Sequence, residues 1–183
     1  MINRFLHSQI AKFESAFGYD MSYGHDMLDT SRPAFLKFFR VTAMSKHREG
    51  VPPAVEYAAK LATTLAEDCG PCTQLVVTMA EKEGVPAEIL RGIIEGDEKA
   101  MGPAAALGWR FARAVLAHDL EADPLRADIE KRWGRKAVVS LALSIASARM
   151  YPTIKYATGH GHACARVKVG GVDARPLAAL VPA

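Results

Sequence analysis

Cysteine is scarce in this chain of 183 residues, and its three copies, Cys69, Cys72 and Cys164, are too few for a secreted disulfide scaffold. Long hydrophobic runs are missing too. The nearest, Ala137 to Ala148, is cut off by Arg149 and falls short of the ~18 uncharged apolar residues of a spanning helix, so it reads as a core helix and not as a membrane segment. The first twenty residues hold no continuous apolar stretch and no small-residue cleavage site, which predicts a cytoplasmic protein. Net charge is only +3, too weak to argue for nucleic acid. Acids outnumber bases over residues 81–130, and bases dominate 149–183, where Asp173 is the one acid; this pattern suits contacts within or between subunits. Low-complexity tracts and long linkers are absent, and strand alternation never lasts more than a few residues.

What is present is ordinary globular composition, 50% hydrophobic and 23% charged. A chain of this length buries about 70% of its unfolded surface, enough for one sizeable core. The apolar spacing is helical almost throughout. Ile2, Phe5, Leu6, Ile10, Phe13 and Phe17 recur at three- and four-residue intervals before Gly18, a stripe that reads as core or oligomer contact. Ser31 caps a helix over Arg32–Met44, with Pro33 in its first turn. Ala54–Glu67 is rich in Ala and Leu, and Pro71–Glu83 places Cys72, Leu75, Val76 and Met79 on one face. Pro86 opens a short helix ending near Gly96, Pro103 opens another, and Asp123-Pro124 starts one that Gly134 stops. The last helix begins near Arg135 and carries Ser140, Ser144 and Ser147 as a narrow face for close approach by a neighbour; Pro152 kinks or interrupts it. Met21, Met27 and Leu28, near Tyr19 and Tyr23, read as packing. The phrase Arg166-Val167-Lys168-Val169 before Gly170-Gly171 is a short strand or a tail. The expected architecture is one all-α domain of seven or eight helices over residues 1–183, with N-terminal helices over 1–48 and a core from about 50 to 165.

The chemistry concentrates in Glu67-Asp68-Cys69-Gly70-Pro71-Cys72. Two cysteines three apart at a helix start close a small disulfide or form one edge of a metal site. The leading amides and positive dipole end of the helix favour a thiolate. Pro71 stiffens the first turn and Gly70 lets the sulfurs meet, so the spacing suits a reversible dithiol. Zinc is the competing use. It needs about four ligands, which His160, His162 and Cys164 would complete. Two inert buried cysteines are the third reading.

Cys-Gly-Pro-Cys also occurs in thioredoxins, and Tyr151-Pro152-Thr153-Ile154-Lys155-Tyr156 is similar to the proline loop that faces the cysteines in that family. There the pair follows a β-strand, whereas Ala58–Ala66 here is helical in pattern. An Ala-rich helix, a Cys-x-x-Cys at the head of the next helix, and paired helices out to an apolar one resemble the alkylhydroperoxidase (AhpD)-like, carboxymuconolactone decarboxylase family over roughly residues 50–160. That resemblance implies an all-helical bundle assembling as dimers, trimers or hexamers, and an antioxidant peroxidase needing no cofactor. It implies that Cys72 attacks peroxide and Cys69 resolves it into a disulfide, which a thiol protein or small thiol then reduces. The family's relay histidine position is Val76 here, and its glutamate position is Tyr57, next to Glu56.

Candidate replacement bases are Glu67, Asp68, Glu56, His160 and His162, each also readable as a cap, a surface acid or a polar helix end. The expected function is a thiol-dependent reductase of peroxides or disulfides, homo-oligomeric and without nucleic-acid or membrane partners. The alternatives are a non-catalytic zinc-binding or redox-sensing helical protein, and a thioredoxin-like disulfide reductase.

Overall fold

A computed structural model describes residues 2–161 and 166–177. It is all-α apart from one small hairpin. Ten helical segments follow in order: α1 (Ile2–Phe17), α2 (Ser22–Thr30), α3 (Arg32–Phe39), α4 (Val41–Ser45), α5 (Pro53–Ala66), α6 (Gly70–Lys82), α7 (Ala87–Glu95), α8 (Glu98–Ala117), α9 (Ala122–Trp133) and α10 (Arg135–Ala157). The count exceeds the expected seven or eight because α2 is a separate nine-residue helix and the stretch after Ser31 divides at Arg40.

Local chemistry sets most boundaries. The Ser31 hydroxyl oxygen accepts the Ala34 N–H at 3.3 Å, as an N-cap should. Asp97 caps α8 by accepting from Lys99 and Ala100. The helix therefore starts a turn earlier than Pro103 suggests, and the two parts join at Gly102, whose φ of 70° requires glycine. α10 continues through Pro152 to Ala157, so the proline leaves the helix uninterrupted in extent. By length and composition alone α10 is apolar enough to cross a membrane. Here it packs on α5 and α9. Ser140 exchanges two hydrogen bonds with the Glu49 backbone, and Ser144 donates to Glu56, so the serine face bonds its neighbours as well as admitting them.

The main core surrounds α5, which packs against α8, α10, α6 and α7. Two smaller apolar clusters form the N-terminal region. One joins Ile10, Leu28 and Phe35 with Met21 and Met27. The other gathers Tyr19, Tyr23 and Phe38 against Phe13, Phe17, Leu75, Met150, Tyr151 and Ile154. Tyr19 and the methionines thus pack as expected, and the second cluster ties α1–α3 to α6 and α10. Residues 168–173 form a hairpin, β1 (Lys168–Val169) against β2 (Val172–Asp173), turning through Gly170 and Gly171 at positive φ. Gln74 of α6 clasps Lys168 at both its N–H (2.6 Å) and its carbonyl (3.3 Å).

Candidate redox site

α5 ends at Ala66, and the chain reverses through Glu67 and Asp68 into α6. Asp68 takes a left-handed φ of 48°, an uncommon conformation that Asp tolerates better than most residues. The hairpin is pinned from inside: the Cys69 N–H donates to the Thr64 carbonyl at 3.3 Å, and the Thr73 hydroxyl donates to the Thr64 hydroxyl at 3.1 Å. Cys69 becomes the N-cap of α6, and Gly70 and Pro71 fill the first turn. Cys72 then falls one turn in, and Cys69 and Cys72 are joined as a disulfide. The Cys69 sulfur accepts the Cys72 N–H at 3.4 Å, so the N-cap duty usually held by an oxygen is here held by sulfur.

Both cysteines are buried, Cys69 at 6% exposure and Cys72 at 4%. What covers Cys72 comes from far away in sequence. The Tyr19 hydroxyl, from the link between α1 and α2, lies 3.9 Å from the Cys72 sulfur. The Lys155 ammonium nitrogen stands 5.2 Å from the Tyr19 ring centre and 5.6 Å from that of Tyr23. Lys155 itself is only 5% exposed. Burial pushes the Tyr19 phenol up to about 12, a rise that the neighbouring Tyr23 hydroxyl moderates. Tyr23 is pushed up further by its own burial and by the Tyr19 charge it would face. Burial holds the Lys155 ammonium below its ordinary value, against the attraction of Asp20.

The residues expected at the site are distributed unevenly. Cys69 and Cys72 meet. Glu67 lies beside them in sequence, but its carboxylate pairs with Arg149 at 2.8 Å. Asp68 is exposed, and its carbonyl accepts from the Tyr156 hydroxyl at 3.4 Å. Glu56 is neither a surface acid nor a neighbour of the thiols. It sits near the start of α5, three turns of helix or about 15 Å along the axis from Ala66. There it is 1% exposed and holds Arg48 at 3.0 Å, Lys60 at 2.7 Å and the Ser144 hydroxyl at 3.0 Å. Arg48 also pairs with Glu83, which accepts from Tyr57. This network runs from the buried Glu56 out to the surface at Arg48 and Glu83. His160 follows α10, where its ring faces Ser22 at 3.4 Å and Asp26 at 3.5 Å. His162 and Cys164 lie outside the described residues, and among the described ones no group of three His, Cys, Asp or Glu side chains is placed to hold a metal ion.

No family model, no curated protein and no solved structure matches this chain.

The Tyr151–Tyr156 phrase does reach the cysteines, although as helix and not as a loop. Tyr151 packs in the aromatic cluster beside Tyr19, Lys155 covers the Tyr19 and Tyr23 rings, and Tyr156 holds Asp68. Val76, one turn past Cys72, packs against the main core. Tyr19 and Lys155 are the residues that sequence reasoning left unassigned. Tyr19 lies in the link between α1 and α2, outside any helix, so no helical spacing pointed to it.

Proposed function

We propose that this protein is a thiol-dependent oxidoreductase that reduces peroxides through the Cys69–Cys72 pair. The observation that carries the reading is the joining of the two sulfurs across the first turn of α6, with Cys69 as its cap. In the reaction, the Cys72 thiolate attacks the peroxide O–O bond, giving a sulfenic acid on Cys72 and an alkoxide that takes up a proton. The Cys69 thiol then displaces water from that sulfenic acid and forms the disulfide. Two equivalents of an external thiol restore the dithiol and leave as their own disulfide. The assignment of attack to Cys72 and resolution to Cys69 follows the resemblance to AhpD-like proteins. Cys72 is also the sulfur that faces a hydroxyl donor.

Burial of both cysteines favours a small hydroperoxide over a folded protein's disulfide, because only a compact reactant fits beneath the covering side chains. The same burial is the specific support for a second reading, a redox sensor that closes and opens its disulfide without turning over substrate. A cytoplasmic, homo-oligomeric protein belongs to the first reading. Ile2 and Phe5 on α1, with Leu36 and Phe39 on α3, remain largely exposed and offer apolar surface for subunit contact.

Peroxide consumption with dithiothreitol as reductant tests the proposal. Wild type turns over repeatedly, Cys72→Ser loses turnover entirely, and Cys69→Ser accumulates a sulfenic acid or mixed disulfide on Cys72 detectable by mass. One stoichiometric round of oxidation with no further turnover establishes the sensor instead. Full turnover in both variants defeats both readings.

A further inference from the structure

We infer that Tyr19 is a catalytic residue of this site, the hydrogen-bond donor that holds the Cys72 thiolate, positioned for that task by Lys155. The inference rests on the dithiol reading above and supplies what that reading lacks, a polar group at the sulfur where Val76 offers none.

The geometry is specific to one sulfur. Tyr19 Oη is 3.9 Å from Cys72 Sγ, within reach of a hydrogen bond to an atom as large as sulfur. Cys69 Sγ is served differently, by the Cys72 N–H. When an external thiolate attacks Cys69 Sγ, the S–S bond breaks and its electron pair stays on Cys72 Sγ. A mixed disulfide is left on Cys69 and a bare thiolate on Cys72. That anion forms in a nearly water-free position, where an unpartnered charge is costly. The Tyr19 O–H is already in place to donate to it. Since burial holds the phenol up at about 12, Tyr19 keeps its proton at neutral pH and acts as donor without ionising. A second external thiolate then attacks the reductant's sulfur in the mixed disulfide, breaking its bond to Cys69 Sγ and releasing the oxidised reductant and a Cys69 thiolate.

Lys155 fixes the donor: its ammonium lies over the Tyr19 and Tyr23 rings and restrains both. The second cluster, with Phe13 edge-on to Tyr19, fills the remaining space around the phenol. The Tyr19 hydroxyl also meets the Tyr23 hydroxyl, from which it accepts while its own proton serves Cys72.

The test isolates the thiol. In full-length protein carrying Cys69→Ser and Cys164→Ser, Cys72 is the remaining cysteine, and its ionisation is followed by thiolate absorbance against pH. Adding Tyr19→Phe raises the titration midpoint by about one unit, the effect expected for one hydrogen bond to an anion. Lys155→Met raises it in the same direction. In the otherwise unaltered chain, Tyr19→Phe slows thiol-dependent peroxide turnover about tenfold, by the same free-energy scale. An unchanged midpoint overturns the inference even if wild-type turnover proves the enzyme. A raised midpoint in a protein without turnover leaves Tyr19 as the donor and defeats the catalytic reading alone. Should Tyr19→Phe fail to fold, the wild-type chain decides. A tyrosine absorbance change must accompany formation of the Cys72 thiolate, and its absence overturns the inference.

Discussion

Lys155 is the residue whose placement most needs an explanation, because a lysine in this position gives up hydration without a carboxylate in contact among the described residues. Two aromatic faces and the more distant Asp20 offset part of that loss. Burial lowers its pKa in the folded chain, so at neutral pH the unfolded chain binds the proton more readily than the native one. The resulting penalty is present below the folded value and fades as pH rises toward the unfolded value of 10.5. Lys155→Met, of similar volume, is therefore expected to unfold at higher denaturant concentration than wild type at pH 7, with the gap closing by pH 10. A Met variant less stable at pH 7 would show instead that the ammonium is well compensated. The cysteine pair, its Gly-Pro spacer and the helix start were legible because they are neighbours in the chain. Tyr19 was not, since 53 residues separate it from Cys72, and Lys155 reaches the site only because α10 runs back past α2. Glu56 was misplaced for a related reason: an acid on an Ala-rich helix reads as solvated unless Arg48, Lys60 and Ser144 are known to converge on it.

Helices were legible wherever a stripe of apolar residues ran for three turns, as in α1, α5 and α6. α2 was missed because its nine residues mix Tyr23 and Leu28 with Ser22, Gly24, His25 and Asp26, too short and too polar for periodicity to show. What holds α5 and α8 together was equally silent, since glycine leaves no mark on a hydrophobic pattern. A Cβ on Gly108 would stand 2.6 Å from the Val55 carbonyl oxygen and 2.8 Å from a Val55 methyl group. Backbone cannot retreat there as a flexible side chain would, so the two helices must part. Gly108→Ala is expected to cost about 1–3 kcal/mol, the usual range for overpacking. For a chain of this size each kcal/mol lowers the melting temperature by roughly 2–4 °C. Calorimetry checks this, and a melting temperature equal to wild type's contradicts the close approach. Because α5 also leads into Asp68 and Cys69, the same substitution should disturb the disulfide's reactivity only through this general loss of stability.

The disulfide lies where the main core meets the N-terminal aromatic cluster, and the two regions are joined unequally. α1 is fastened to α2 by His7, which meets His25 at 2.6 Å and Asp29 at 2.8 Å, yet it touches α6 sparingly. Among the described residues the polar tie between α1 and α6 is Lys82, whose ammonium donates to the Ala16 carbonyl at 2.6 Å and lies 4.4 Å from the centre of the Phe17 ring. Tyr19 follows directly after that turn. A local opening of the end of α1 would uncover Cys72 while leaving α5, α8 and α10 packed, and such openings cost less than global unfolding. Such an opening would reconcile the proposed redox role of the disulfide with 4–6% exposure of its cysteines. Lys82→Ala removes the tie, worth ~1 kcal/mol, so reduction of the disulfide by dithiothreitol should accelerate about three- to tenfold. The melting temperature should fall by only about 2–4 °C, the effect of ~1 kcal/mol in a chain of this size. Identical reduction rates in the two proteins would mean that the reductant enters without any movement of α1, and that the aromatic cluster is a fixed wall of the site.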